Sequence, residues 1–215
     1  MIGVVIPAHN EAMFIERCLR SVQKAAAHPA LLGEPVTVLV ILDACTDATG
    51  SIAEQCGALT LAVDHHNVGQ SRGAGAEMLL SASARWLAFT DADSQVKANW
   101  LSCQTAFGAD AVCGVVDVDD WTPHPPSVRL RYEARYQAIE GHRHIHGANL
   151  GVCAIAYRKA GGFRPLAAHE DVHLVQDLER NGARIIWTAT NSVTTSARID
   201  PRCREGFGDH LHSLA

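Results

Sequence analysis

Phe89-Thr90-Asp91-Ala92-Asp93-Ser94 is the stretch from which the rest of the chain can be placed. Arg85-Trp86-Leu87-Ala88-Phe89 comes just before it, a short, mostly apolar run after an Ala/Ser/Leu-rich segment of helical character. It reads as a buried strand. The strand ends in two carboxylates one residue apart. In extended backbone, alternate residues point to one face, so Asp91 and Asp93 converge there if the chain stays extended. Two like charges that close repel unless a cation lies near both. A hard divalent ion such as Mg²⁺ or Mn²⁺, which takes oxygen ligands, supplies that charge and can bridge to a diphosphate. The plainer alternative is a polar turn after a strand, with one aspartate capping the next helix.

Upstream, strand and helix patterns alternate. Ile2 to Ile6 is β-rich and closes at Pro7, and His9-Asn10-Glu11 follows. Ile15, Cys18, Leu19 and Val22 then recur at spacings of three and four, which predicts a helix. Val36 to Leu42 is a continuous apolar run rich in β-branched residues, the signature of a central parallel strand. Asp43 ends it, and Thr46 or Asp47 is placed to cap the helix that follows. Leu59 to Val63 is a third strand, and Gly69 to Ala84 is a helix of small residues. In open parallel α/β sheets, ligands bind at the carboxyl ends of the strands. His9-Asn10-Glu11, Asp43 and the Asp91/Asp93 pair all occupy such ends, so residues 1–95 read as a nucleotide-binding α/β layer. Gly73-Ala74-Gly75 hints at a dinucleotide fingerprint, but it follows a later strand and Met78 stands where the third glycine belongs.

Downstream, Ala98 to Phe107 is helical and Ala111 to Val118 strand-like. A proline-rich loop carries Trp121, Ser127 to Ile139 forms a basic, aromatic helix, and His142, His144 and His146 alternate after it. A further helix runs from near His169 to Asn181-Gly182, and Arg184 to Thr188 and Asn191 to Ser196 are two short strands. The tail after Asp200-Pro201 is expected to be mobile or to lie over the site. No repeat or linker divides the 215 residues, which read as one domain, with 96–215 on the acceptor side.

The bulk numbers exclude several classes. A net charge of -5 and no strongly basic run give nucleic acid nothing to bind. No apolar run approaches the roughly 20 residues of a transmembrane helix. The 7 cysteines are odd in number, form no C-x-x-C and lie mostly in apolar segments. That pattern fits free thiols in a reducing compartment and predicts a cytoplasmic protein.

Val4-Val5-Ile6-Pro7-Ala8-His9-Asn10-Glu11 resembles the opening of a family 2 glycosyltransferase. So, in the family's order, do Val40 to Asp47, Asn67-Val68-Gly69 with Arg72, Phe89 to Asp93, Gly147-Ala148-Asn149 and Glu170-Asp171. The resemblance implies a GT-A fold, a Rossmann-like mixed sheet flanked by helices. It implies a metal-dependent, inverting transferase that uses a nucleoside-diphosphate-sugar donor and a divalent metal, Mn²⁺ or Mg²⁺. The acceptor is a small molecule, a glycan or a lipid head group. Pro7, Ala8, His9, Asn10 and Glu11 would line the nucleoside pocket, Asp43 would accept from the base edge, and Arg72 would lie near the phosphates. Asp91, Ala92 and Asp93 would hold the ribose and the metal–diphosphate, with His173 as an extra metal ligand. Asp171 would be the general base, with Glu170 beside it in the catalytic pair. His9 departs from the aromatic or small residue frequent at that position, and the Q-x-x-R-W motif of processive synthases is missing.

Rival readings rest on other residues. His169-Glu170-Asp171-Val172-His173 is also H-E-x-x-H, which on a helix offers two histidines to zinc with Glu170 as base. A chain that binds nucleotide sugars without transferring them is a third possibility. The histidine trio is either a metal site or a solvated loop. Arg129, Arg131 and Arg135 contact an anionic acceptor or form a solvated face. Trp121 stacks on an acceptor sugar or anchors its loop. Arg198 reaches a diphosphate or pairs with Asp200.

Overall fold

A computed structural model describes residues 1–118, 120–199 and 207–214. The strands are β1 (Ile2–Ala8), β2 (Val36–Asp43), β3 (Leu59–Val63), β4 (Trp86–Phe89), β5 (Gln95–Val96), β6 (Ala111–Val118), β7 (Leu150–Cys153) and β8 (Ile185–Thr195). The helices are α1 (Ile15–Ala26), α2 (Thr49–Gln55), α3 (Val68–Ser81), α4 (Trp100–Ala106), α5 (Pro126–Arg135), α6 (Ala154–Ala160), α7 (Glu170–Arg180) and α8 (Phe207–His212). All the strands join one mixed sheet in the order β3-β2-β1-β4-β7-β6-β8-β5. The β3-β2-β1-β4 half is parallel, and β7 then pairs antiparallel with both β4 and β6.

The apolar runs explain the burial. Every residue of β1 and of β4 is buried, as expected for strands covered on both faces. On one side α1 packs Ile15, Cys18, Leu19 and Val22 against Val4, Ile6 and Val40. On the other, α3 and α7 bring Ala76, Leu79, Leu174 and Leu178 onto Val5, Leu39 and Leu87. The glycines of α3 serve this packing. A Cβ on Gly75 would lie 2.6 Å from Val5 Cγ1, and one on Gly69 would lie 2.9 Å from Glu170 Cβ. The glycine pattern that hinted at a dinucleotide loop is a helix pressed against the sheet.

Two expectations for the second half change. The basic helix stops at Arg135, because Tyr136 turns to extended backbone and takes the amide of Val116 on its hydroxyl, 2.9 Å away. The two final strands are one, β8. Its ladder with β6 shifts register between Cys113 and Val115, so a bulge separates the two halves that the sequence shows as distinct runs. The stretch 200–206, which carries the expected cover over the site, lies outside the described residues. Beyond it, α8 rests on α5 through Leu211, Leu214, Val128 and Tyr132, with Trp121 packed at the edge. Trp121 lies 5.3 Å from the Tyr132 ring, so it anchors its loop.

Candidate active site

The loops after β1, β2 and β4 meet above the carboxyl ends of these strands. Asn10 adopts φ 54°, and its Oδ1 accepts from the amides of Thr46 and Asp47 at 2.8 and 3.2 Å. The Glu11 amide donates to Thr49 Oγ1 at 2.8 Å, and Cys45 Sγ donates to the Ala8 carbonyl at 3.2 Å. The two loops therefore form one unit. Pro7, Ala8 and Ala92 are buried within it, so only His9 and Asn10 of the Pro7–Asn10 segment present partly exposed side chains. His9 Nδ1 lies 2.7 Å from the Asp43 carbonyl, and its ring lies 6.2 Å from that of His66.

Asp43 does not fill the role expected of it. Its Oδ1 accepts from the amides of His65 and His66, both at 2.8 Å. Its Oδ2 accepts from the Asn67 amide at 3.0 Å and from Ser71 Oγ at 2.8 Å. Burial would raise its pKa, but these donors outweigh that and lower it. A carboxylate offers about four lone-pair directions, and all are taken in shaping the 65–67 turn, which leaves none for a base edge.

Arg72 is the hub of the cleft. It is buried, and its Nη1 pairs with Glu170 Oε1 while its Nη2 donates to Asp91 Oδ1 at 2.5 Å. Burial lowers its pKa, and Asp91, Glu170 and Asp171 more than reverse that. Glu170 shows the converse balance, with its pKa raised by burial despite Arg72. Asp171, one residue on in the first turn of α7, is more exposed. Its Oδ2 accepts the Gly147 amide at 2.6 Å and its Oδ1 the Val172 amide at 2.8 Å. Gly147 is held to glycine by Arg72, since a Cβ there would lie 2.5 Å from the guanidinium carbon.

Asp93 belongs to a second cluster. Arg198 Nη2 donates to Asp93 Oδ2 at 2.5 Å and lies 2.8 Å from Glu11 Oε1. The pKa of Asp93 is raised, first by burial and then, against Arg198, by Asp91. The two aspartates do not converge as an extended chain would place them. The Ser94 amide donates to the Asp91 carbonyl at 3.0 Å, which turns the backbone and sends each carboxylate to its own arginine.

Several predicted roles therefore change. Glu170 is sealed in an ion pair with Arg72 and positions the cleft instead of reaching a substrate. The H-E-x-x-H reading fails on geometry, because His169 precedes the helix at φ 60° and Glu170 is engaged elsewhere. Among the described residues, no three His, Cys, Asp or Glu side chains are grouped to hold a metal. The histidine trio forms a ring stack, His142 to His144 at 5.4 Å and His144 to His146 at 6.1 Å, with Tyr136 4.2 Å from His144. Arg129 pairs with Glu133, and Arg131 donates to the Leu214 carbonyl at 2.5 Å. The sequence leaves Gly147 unassigned and offers Arg198 other partners, a diphosphate or Asp200. Gly147 appeared only as a motif letter, and nothing near Arg198 in sequence signals that it reaches Glu11 and Asp93.

The donors present fit a divalent ion held partly by substrate. Asp91 and Asp93 are hard oxygen donors on one loop, with side chains 36% and 13% exposed. Magnesium-like ions are commonly held by one or two carboxylates together with phosphate oxygens. Among the described residues, five carboxylates (Glu11, Asp91, Asp93, Glu170 and Asp171) share the guanidinium groups of Arg72 and Arg198. A diphosphate entering that field needs added positive charge.

A family model described as Glycosyl transferase family 2 matches residues 3–164. The chain belongs to this family. Its fold is the GT-A fold of the solved structures it resembles. S. aureus TarS 1-349 in complex with UDP-GlcNAc superposes with a TM-score of 0.72 at 16% identity, over 99% of this chain and 64% of that one. The mannosyltransferase PcManGT from Pyrobaculum calidifontis, in complex with GDP-Man and Mn²⁺, gives 0.63 at 18% identity, over 99% and 68%. The family 2 chain thus spans a little under two thirds of the length of that TarS chain. No curated protein matches it. Among its described residues, no helix is long and apolar enough to cross a membrane.

Proposed function

We propose that this family 2 domain transfers a sugar from a nucleoside-diphosphate donor to an acceptor hydroxyl, with inversion and with help from a divalent ion. The observation that carries the reading is the convergence on Arg72 of Asp91, from the end of β4, and of Glu170 and Asp171, from the start of α7. It joins a diphosphate-side carboxylate to a base-side carboxylate across one buried cation. The nucleotide sugars bound by TarS and PcManGT support the donor class.

Asp91 and Asp93, now turned to separate arginines, would each offer a carboxylate oxygen to a divalent ion, which would supply positive charge for the leaving diphosphate. Asp171 takes the proton from the acceptor hydroxyl. The Gly147 and Val172 amides fix its carboxylate, and the Arg72–Glu170 pair beneath fixes the helix end that carries it. Asn10 and Asp43 keep the nucleoside-side loops formed before the donor arrives, so little ordering entropy remains to be lost on binding. The acceptor, a small molecule, a glycan or a lipid head group, approaches from the Asp171 side. The six cysteines among the described residues are free, which suits a reducing, cytoplasmic setting.

The test is a thermal-shift panel of UDP-, GDP-, dTDP- and CDP-sugars, each with Mn²⁺, Mg²⁺ or chelator. A native-state ligand at a hundred times its Kd stabilises by about 2.7 kcal/mol. At this chain length that raises Tm by roughly 5–10 °C. One nucleotide class should do so, and only with metal. Asp171→Asn should keep that shift while transfer falls by about 10²–10⁴. A panel with no shift from any donor refutes the proposal.

A further inference from the structure

We propose that Arg198 is a built-in counter-cation: it holds Asp93 and Glu11 together while the metal is absent, and the arriving divalent ion displaces it. The inference rests on the metal-dependent reading above. Its basis is the placement of one nitrogen. Arg198 Nη2 lies 2.5 Å from Asp93 Oδ2 and 2.8 Å from Glu11 Oε1, so it bridges a carboxylate from the β4 loop and one from the β1 loop. The three side chains are 19%, 13% and 6% exposed. Arg198 Nε adds a second bond to Asp93 Oδ2 at 3.2 Å. Asp93 Oδ1 has long hydroxyl contacts, to Ser94 and Thr195 at 3.4 Å.

A cation between two carboxylates is the arrangement a metal takes, made here with a guanidinium. Metal–oxygen bonds of about 2.0–2.1 Å on Asp93 leave no room for two N–H donors on the same oxygen. An ion on Oδ2, the oxygen that faces Glu11 across the guanidinium, therefore takes the place of Arg198. Asp93 and Glu11 lie close together in a low-dielectric setting, where like charges repel strongly. Arg198 removes that repulsion, and it makes the ion compete with an internal charge. The guanidinium carbon also lies 5.1 Å from the centre of the Phe14 ring, while the neighbouring Ala197 is buried, so the backbone around it is anchored and the side chain is the element free to move.

An ordinary structural ion pair and a displaceable counter-cation predict opposite signs. Mn²⁺ binding is titrated by the loss of its free-ion resonance signal at about pH 8, where carboxylates are ionised, without nucleotide. Arg198→Ala should bind Mn²⁺ about ten- to hundred-fold tighter than the wild type, the scale of one charge-assisted hydrogen bond released. Arg198→Lys keeps the charge and should stay within about threefold of the wild type, and it carries the test alone if the alanine variant does not fold. In the wild type, Mn²⁺ should also speed amide exchange over 196–199. Alanine affinity equal to or weaker than wild type, lysine affinity tighter by tenfold, or no change in exchange overturns the inference. If the wild type binds Mn²⁺ with UDP or GDP while Arg198→Ala shows no gain, only the counter-cation fails. If no protein binds Mn²⁺ with either nucleotide, the metal-dependent reading fails with it.

Discussion

Replacing Arg72 by Met keeps most of the side-chain volume and removes the charge, so it isolates what the guanidinium does. Glu170, whose side chain is 5% exposed, would then be a buried carboxylate with no counter-ion, whereas Asp91 at 36% can still turn toward water. Breaking a buried pair from one side costs about 3–5 kcal/mol. At this chain length that corresponds to a fall in Tm of roughly 6–20 °C. The pH dependence follows from the direction of the Glu170 shift. Burial already raises its folded pKa above the ordinary value of 4.5, and losing Arg72 raises it further. The folded state then binds more protons than the unfolded state between those two values. Stability of the variant must therefore fall as pH rises through that window, and its deficit is small below it. Urea unfolding of wild type and Arg72→Met at about pH 4 and about pH 8 measures this. The double variant Arg72→Met/Glu170→Leu should recover much of the loss at about pH 8, because no charge is left buried. A deficit under about 1 kcal/mol, or one equal at both pH values, would refute the assignment of Arg72 as the counter-ion of a buried Glu170.

Asp43→Asn replaces an acceptor oxygen by a donor facing N–H groups and should cost about 1–3 kcal/mol by denaturant unfolding. Because the folded pKa of Asp43 is depressed, its contribution in the wild type is present above its unfolded value and lost as pH falls through the folded one. Gly147→Ala puts a methyl 2.5 Å from Arg72 Cζ and should cost about 1–3 kcal/mol of stability. It should also lower transfer more than donor affinity, read as kcat against donor Kd, because the Gly147 amide holds the proposed base.

The strands and the cleft's position could be read early because both follow from local pattern. Val36 to Leu42 and Trp86 to Phe89 are apolar runs that only a covered sheet accommodates, and polar residues at their ends mark the binding edge. What could not be read depends on distance along the chain. The divergence of Asp91 and Asp93 comes from a backbone turn and from two arginines, one of them 105 residues from Asp93. Asp43 looked like a ligand because a lone carboxylate at a strand end is available until the 65–67 turn folds back onto it. The bulge in β8 hid a single strand because Ala189-Thr190-Asn191 interrupts the apolar pattern where Gly114 faces Asn149 and the Asn191 carbonyl instead of continuing the ladder.

β8, the last strand among the described residues, lies inside the sheet, between β6 and β5. During synthesis, a ribosome that has not yet delivered residues 185–195 leaves β6 with one open edge and β5 with no partner, and both wait for a strand that pairs Gln95 with Thr194. Unpaired edges of this kind are templates for association between chains. Deletions that reach β8 should therefore produce aggregation in place of a smaller folded core, and the late arrival of β8 is the step at which chaperones would have most to protect.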